Sequence, residues 1–190
     1  MSNRWPSQDQ FAQLAELNRL FLTYLQGSTT AGLDEVGFPA SARKLLLAAP
    51  RERLDQVASF PRALFELDLT AEPALVPPDP RSGRAEGARQ AMNVMIVHCA
   101  WTLSRQSVYQ ARLLLGLESR VIQQLRALPL GGLHALATAP RIVRCAFASR
   151  EWLWQELLSA DHAEARQRLA LVALQPGLDR DWPVRRPVTL

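Results

Sequence analysis

Gly37–Arg62 reads GFPASARKLLLAAPRERLDQVASFPR, and Gly116–Arg141 reads GLESRVIQQLRALPLGGLHALATAPR. Laid in register without a gap, the two share Gly37/Gly116, Leu46/Leu125, Ala48/Ala127, Pro50/Pro129, Leu54/Leu133, Ala58/Ala137, Pro61/Pro140 and Arg62/Arg141. A chain this rich in Leu and Ala would give about two such matches by chance. The matches fall on a Gly and two Pro, where backbone geometry is demanding, with Leu and Ala at helical spacing between them. A duplicated helical unit is therefore the first expectation.

Punctuation divides the rest of the chain. Ser7 with Gln10 has the spacing of a capping box, and Phe11, Leu14, Leu17, Phe21, Leu22 and Leu25 then recur at helical spacing, so a first helix is expected to run to about Gln26. Gly27–Gly32 reads as a loop. Pro39 and Pro50 each suit the first turn of a short helix, where a missing N–H costs nothing. Leu64–Leu69 (LFELDL) alternates apolar and acidic residues and reads as a short strand or a last helical turn. Six Pro and Gly residues between Thr70 and Gly87 mark a linker.

A longer helix is expected from about Glu86 to Gln106, breaking near Ser107 and continuing to Leu115. Shorter ones follow near Glu118–Leu128 and Leu130–Thr138. Ser149 can cap a helix carrying Trp152, Trp154, Leu157 and Leu158, and Asp161 with Glu164 makes a second capping box for a helix through Leu174. The expected organisation is a first repeat over 7–69, a linker over 70–87, a second repeat over 88–148, a helical extension over 149–175 and an extended tail over 176–190.

Charge is distributed unevenly. The net charge is +4, with 22 basic residues of which only Lys44 is a lysine. Seven acids oppose six bases between Phe11 and Thr70, whereas Gln90–Ala148 carries six arginines opposed only by Glu118. A basic second repeat can attract phosphates, anionic lipid or an acidic partner, unless its arginines are solvated singly or pair with acids of the first repeat.

Catalytic signatures are missing. No GxSxG, HExxH, P-loop or dinucleotide fingerprint occurs, and His98 and His134 stand on apolar helical faces, as packed histidines do. Cys99 and Cys145 lack the paired spacing of a metal site or a secreted disulfide framework and read as buried thiols. No catalytic, metal or cofactor site is expected. The longest apolar run, Val94–Leu103, is far short of the roughly 18 residues a bilayer span needs, and no signal-like start is present, so a cytoplasmic protein without membrane insertion is expected.

Met92–Phe147 resembles the FlhD family, the flagellar transcriptional regulator subunit. The pattern is Asn93-Val94, a helix of about two dozen residues, Leu115-Gly116-Leu117, and paired short helices ending in the apolar run at Ile142-Val143. The first repeat resembles the same pattern from Leu17-Asn18 onward, with about one helical turn missing before Gly37. The resemblance implies an all-α unit that dimerises and binds promoter DNA together with a zinc-binding partner subunit. Two tandem copies would form that dimer within one chain, an intrachain pseudo-dimer.

The departures are specific. The aromatic and arginine that the family carries before the Leu-Gly are Leu113-Leu114 here and Asp34-Glu35 in the first repeat. The family's crosslinking cysteine aligns with Arg144, and Cys145 lies one residue on.

The expected function is therefore a non-enzymatic, FlhD-like transcription-regulatory subunit acting with a protein partner, with DNA as a possible ligand. The alternative is a protein-only adaptor or scaffold in a bacterial flagellar or type III secretion system. Arg112, Arg120, Gln123 and Arg126 are the candidate basic face for nucleic acid or partner. A helix-turn-helix reading of ARLLLGLESRVIQQL would also aim Arg120 and Gln123 or Gln124 at the groove, but it puts the long charged Arg112 at the helix crossing, where it is hard to bury. Arg150, Trp152 and Trp154 are the candidate aromatic partner-binding patch, since Trp and Arg anchor interfaces.

Overall fold

The computed structural model describes residues 5–70, 83–139 and 141–159. Pro140, most of the linker, the Asp161–Glu164 capping box with the helix through Leu174, and the tail from Pro176 lie outside the described residues.

The first half contains α1 (Gln8–Gly27), α2 (Thr30–Glu35), a 3-10 turn at Ala40–Ala42 leading into α3 (Arg43–Ala48), α4 (Arg51–Ala58) and β1 (Phe65–Leu67). The second contains α5 (Gly83–Gln106), α6 (Val108–Leu115), α7 (Ser119–Ala127), α8 (Leu130–Ala137) and β2 (Val143–Cys145), and α9 (Glu151–Ser159) follows. The chain is thus mostly helical, with a two-stranded antiparallel sheet added to the expected all-α architecture. In that sheet Phe65 pairs with Cys145, Glu66 with Arg144 and Leu67 with Val143.

Local chemistry explains the boundaries. Ser7 and Gln10 form the capping box reciprocally, side chain to backbone in both directions. Pro50 and Pro129 stand at the N-cap rather than inside the first turn, with ψ of 160° and 162°. A cap residue contributes its carbonyl and needs no N–H, so proline suits that place as well. The Gly27–Gly32 loop is corrected: α2 begins within it, because the Thr29 side chain accepts from the Gly32 N–H and Leu33 is buried against the core. Ser107 caps α6 through the Gln110 N–H, which makes the break after α5. Helix α9 begins at Glu151, so Ser149 stands one residue outside its cap position.

Two buried asparagines tie the long helices to the segments after the short ones. The Asn18 amide donates to the carbonyls of Ala58, Phe60 and Arg62 at 3.1, 3.3 and 3.1 Å, while its oxygen accepts from the Leu64 N–H at 2.9 Å. Asn93 donates to the carbonyls of Ala137 and Ala139 at 3.3 and 3.4 Å. About two turns further along each helix stands a second matching pair. Gln26 donates to the Ala49 carbonyl at 2.9 Å, and the Trp101 indole to the Leu128 carbonyl at 3.3 Å. Helix α5 continues about one turn further past Asn93 than α1 does past Asn18.

Helix α1 packs on α4 and α5, α5 packs on α6, α7 and α8, and α9 packs on α3, α4 and the 3-10 turn. Their apolar faces form one core, in which Leu46 and Leu125 are both fully buried. Backbone bonds cross between the halves from Ala63 N–H to the Leu114 carbonyl (2.7 Å) and from Cys145 N–H to the Val36 carbonyl (2.7 Å). Phe60 meets Phe147 edge to face across the same boundary.

Gly37 and Gly116 both have positive φ, 72° and 68°. A Cβ on Gly37 meets nothing within 4 Å, whereas one on Gly116 would lie 2.8 Å from Arg62 Nε. Gly37→Ala is expected to destabilise by about 1 kcal/mol, the left-handed penalty alone. Gly116→Ala should lose up to about 1 kcal/mol more, because the Arg62 guanidinium, the flexible end of a side chain held over Phe147 at 5.5 Å, must swing aside. Urea denaturation midpoints of the two variants check the difference; equal losses would contradict it.

Candidate functional site

Helices α6 and α7, joined through the left-handed Gly116, carry the basic residues. Ile122 and Leu125 face the core from α7, which turns Arg120, Gln123, Gln124 and Arg126 outward. Arg112 is exposed on α6, so the helix crossing is not asked to bury its charge. Among the described residues no ion pair holds Arg112, Arg120 or Arg126. Two other arginines of the second half do pair across the halves, Arg144 with Asp68 and Arg89 with Glu35, each at 3.3 Å.

The corresponding face of the first half differs. In the register of the two quoted stretches Arg112, Arg120 and Arg126 stand opposite Leu33, Ser41 and Leu47. Leu33 is buried, Ser41 donates to the Glu151 carboxylate, and Leu47 is 53 % exposed. At these three places only the second half carries guanidinium groups; α3 has Arg43, which is paired with Asp34, and the exposed Lys44.

The aromatic patch is corrected. Trp154 is fully buried, its ring edge to face with Phe38 at 4.9 Å and its indole N–H donating to the Ala146 carbonyl at 2.9 Å. It anchors α9 in the core and has no surface to offer a partner. Trp152 is half-buried and packs against the same core, and Arg150 is partly exposed. Partial burial, assisted by the Arg150 charge, holds the Arg62 guanidinium below its ordinary value. The spacing carried the signal against a shared patch, because residues two apart on a helix point about 200° apart and cannot share a face.

Among the described residues the thiols are unsuited to nucleophilic work. Burial pushes the Cys99 thiol up, and it pushes Cys145 well up, with nearby Glu66 adding to the effect. A thiol so raised is protonated at neutral pH and a poor nucleophile. Among the described residues no three His, Cys, Asp or Glu side chains gather as metal ligands, and no helix is long and apolar enough to cross a membrane.

On the sheet, the protein packed around Glu66 strips part of its hydration and raises its carboxyl although the residue is exposed, opposed by Arg144 and assisted by Asp68. A raised folded-state value means that Glu66 favours the fold below the ordinary carboxylate range and that this contribution is lost as pH rises. Glu66→Gln should therefore raise the melting temperature at neutral pH only slightly, by about a degree at most because solvent screens so exposed a group, with the gain vanishing at acid pH. Thermal melts of both proteins across the acid range check the sign.

No family model matches the chain, and neither a curated protein nor a solved structure matches it.

Proposed function

We propose that this chain is a non-enzymatic, FlhD-like regulatory subunit built from two tandem helical copies that form an intrachain pseudo-dimer, and that it acts on duplex DNA together with a protein partner. The observation that carries the ligand reading is the set of exposed arginines, Arg112, Arg120 and Arg126, none held in an ion pair among the described residues. Guanidinium groups left without acids are free to take phosphate oxygens and release counterions. The tandem reading is supported by the paired roles of Asn18 and Asn93, of Gln26 and Trp101, and of the left-handed Gly37 and Gly116.

The test is a titration of fluorescent duplex DNA with the chain, alone and with any partner recovered from native extract, at several salt concentrations. Binding should weaken steeply with salt, and the Arg112→Ala, Arg120→Ala, Arg126→Ala triple variant should lower the slope by about 3 counterions. Absence of duplex binding under both conditions, or a triple variant that binds as wild type, would remove this reading.

A protein-only adaptor role has one observation in its favour. Leu45 and Leu47 on α3 are 39 % and 53 % exposed where α7 carries Gln124 and Arg126. Recovery of a stoichiometric protein partner that survives nuclease, with no DNA binding, would select it.

A further inference from the structure

The crossing of α1 and α5 leaves a cleft on each side. One, of about 420 Å³, lies between the N-terminal half of α1, the C-terminal half of α5 and α6, and the other, of about 390 Å³, between the C-terminal half of α1, α2 and the start of α5. They are built from matching places. Leu14 and Arg89 each stand one turn before the buried asparagine of their helix, and Leu114 and Glu35 each stand two residues before a left-handed glycine. In the second cleft these places hold an ion pair: Arg89 bridges Glu35 of α2 and Glu86 of its own helix. In the first they hold two buried leucines, and among the described residues no Asp, Glu, Lys or Arg lines it.

We infer that the first cleft, between α1, α5 and α6, is a binding site for a small uncharged molecule with an apolar body and a hydrogen-bonding head. Leu14, Leu17, Leu103 and Leu114 give an apolar floor, while Gln13, Thr102 and Gln106 supply donors and acceptors along the wall. A charged ligand would shed water there with only the His98 imidazole, among the described residues, able to offer it a charge, which disfavours it. The volume falls in the range of small-molecule sites. Because α1 and α5 belong to different halves, a bound molecule joins them. This site rests on the packing of α1 against α5 and is independent of the DNA reading.

The test is a fluorescence titration of the full chain with N-phenylnaphthylamine, which is uncharged, and with anilinonaphthalene sulfonate, which carries the same ring system with an anionic group. The neutral probe should bind saturably at one equivalent and at least roughly tenfold more tightly than the sulfonate. Thr102→Trp, which fills the half-buried wall, should weaken the neutral probe by roughly tenfold with the melting temperature unchanged. Gln106→Trp, at the exposed end of α5, makes the same test if the first variant fails to fold. No saturable binding, equal or tighter binding of the sulfonate, or unaltered affinity in the folded variants would overturn the assignment.

Discussion

Asn18→Ala is expected to destabilise the chain by about 4 kcal/mol, a large share of the roughly 5 to 15 kcal/mol that holds a typical domain folded. The side chain is fully buried and occupies four backbone groups of the segment Ala58–Leu64, three carbonyls and one N–H. That segment leads from α4 into β1, so it has no helix or sheet ladder to satisfy those groups. Alanine would leave the Leu64 N–H and the carbonyls without their partner in a site closed to water, at about 1 to 3 kcal/mol for each group left unsatisfied. Asn93 makes two longer bonds among the described residues. Asn93→Ala should accordingly lose about half as much. Denaturant unfolding of both variants, compared at constant slope, gives the order; a larger loss at Asn93 would mean that the bonds at Asn18 contribute less than their geometry implies.

Trp154→Ala is expected to lose about 4 kcal/mol, as large aromatic deletions in a closed core do. The ring is fully buried on α9, which packs on α3 and the 3-10 turn, and it meets Phe38, itself buried, edge to face. Trp154→Phe should lose about half of that, keeping the ring contact and forfeiting the bond to Ala146. Trp152→Ala, at a half-buried position, should lose markedly less. If partner binding rather than folding were lost in Trp154→Ala while its unfolding midpoint stayed put, the residue would belong to an interface after all.

Much of this fold was legible in the residues. Ser7 with Gln10, the prolines at 50 and 129, and Ser107 each mark a helix boundary by a local mechanism that the surroundings do not override. What escaped depends on partners distant in the chain. Helix α2 lies in a stretch of Gly, Ser and Thr that reads as loop, and it forms because Leu33 finds a core and Thr29 a cap. Strand β2 carries the charged Arg144 between two buried residues, and its reason for being extended is β1, far away in sequence. The basic face was visible as an excess of arginine, but that it points outward follows only from the burial of Ile122 and Leu125. The uncharged cleft had a faint signal, in that His98, Thr102 and Gln106 recur every four residues on α5 without an acid, lysine or arginine among them.

The two halves are joined strand to strand over one core. Glu66 and Arg144 are directly opposed on β1 and β2, and both are exposed. Glu66→Cys with Arg144→Cys, in a Cys99→Ser and Cys145→Ala background, should close within a single chain under mild oxidation, giving a disulfide-linked peptide pair by mass spectrometry and no dimer. A product crosslinked between chains, or two free thiols in a folded protein, would contradict it.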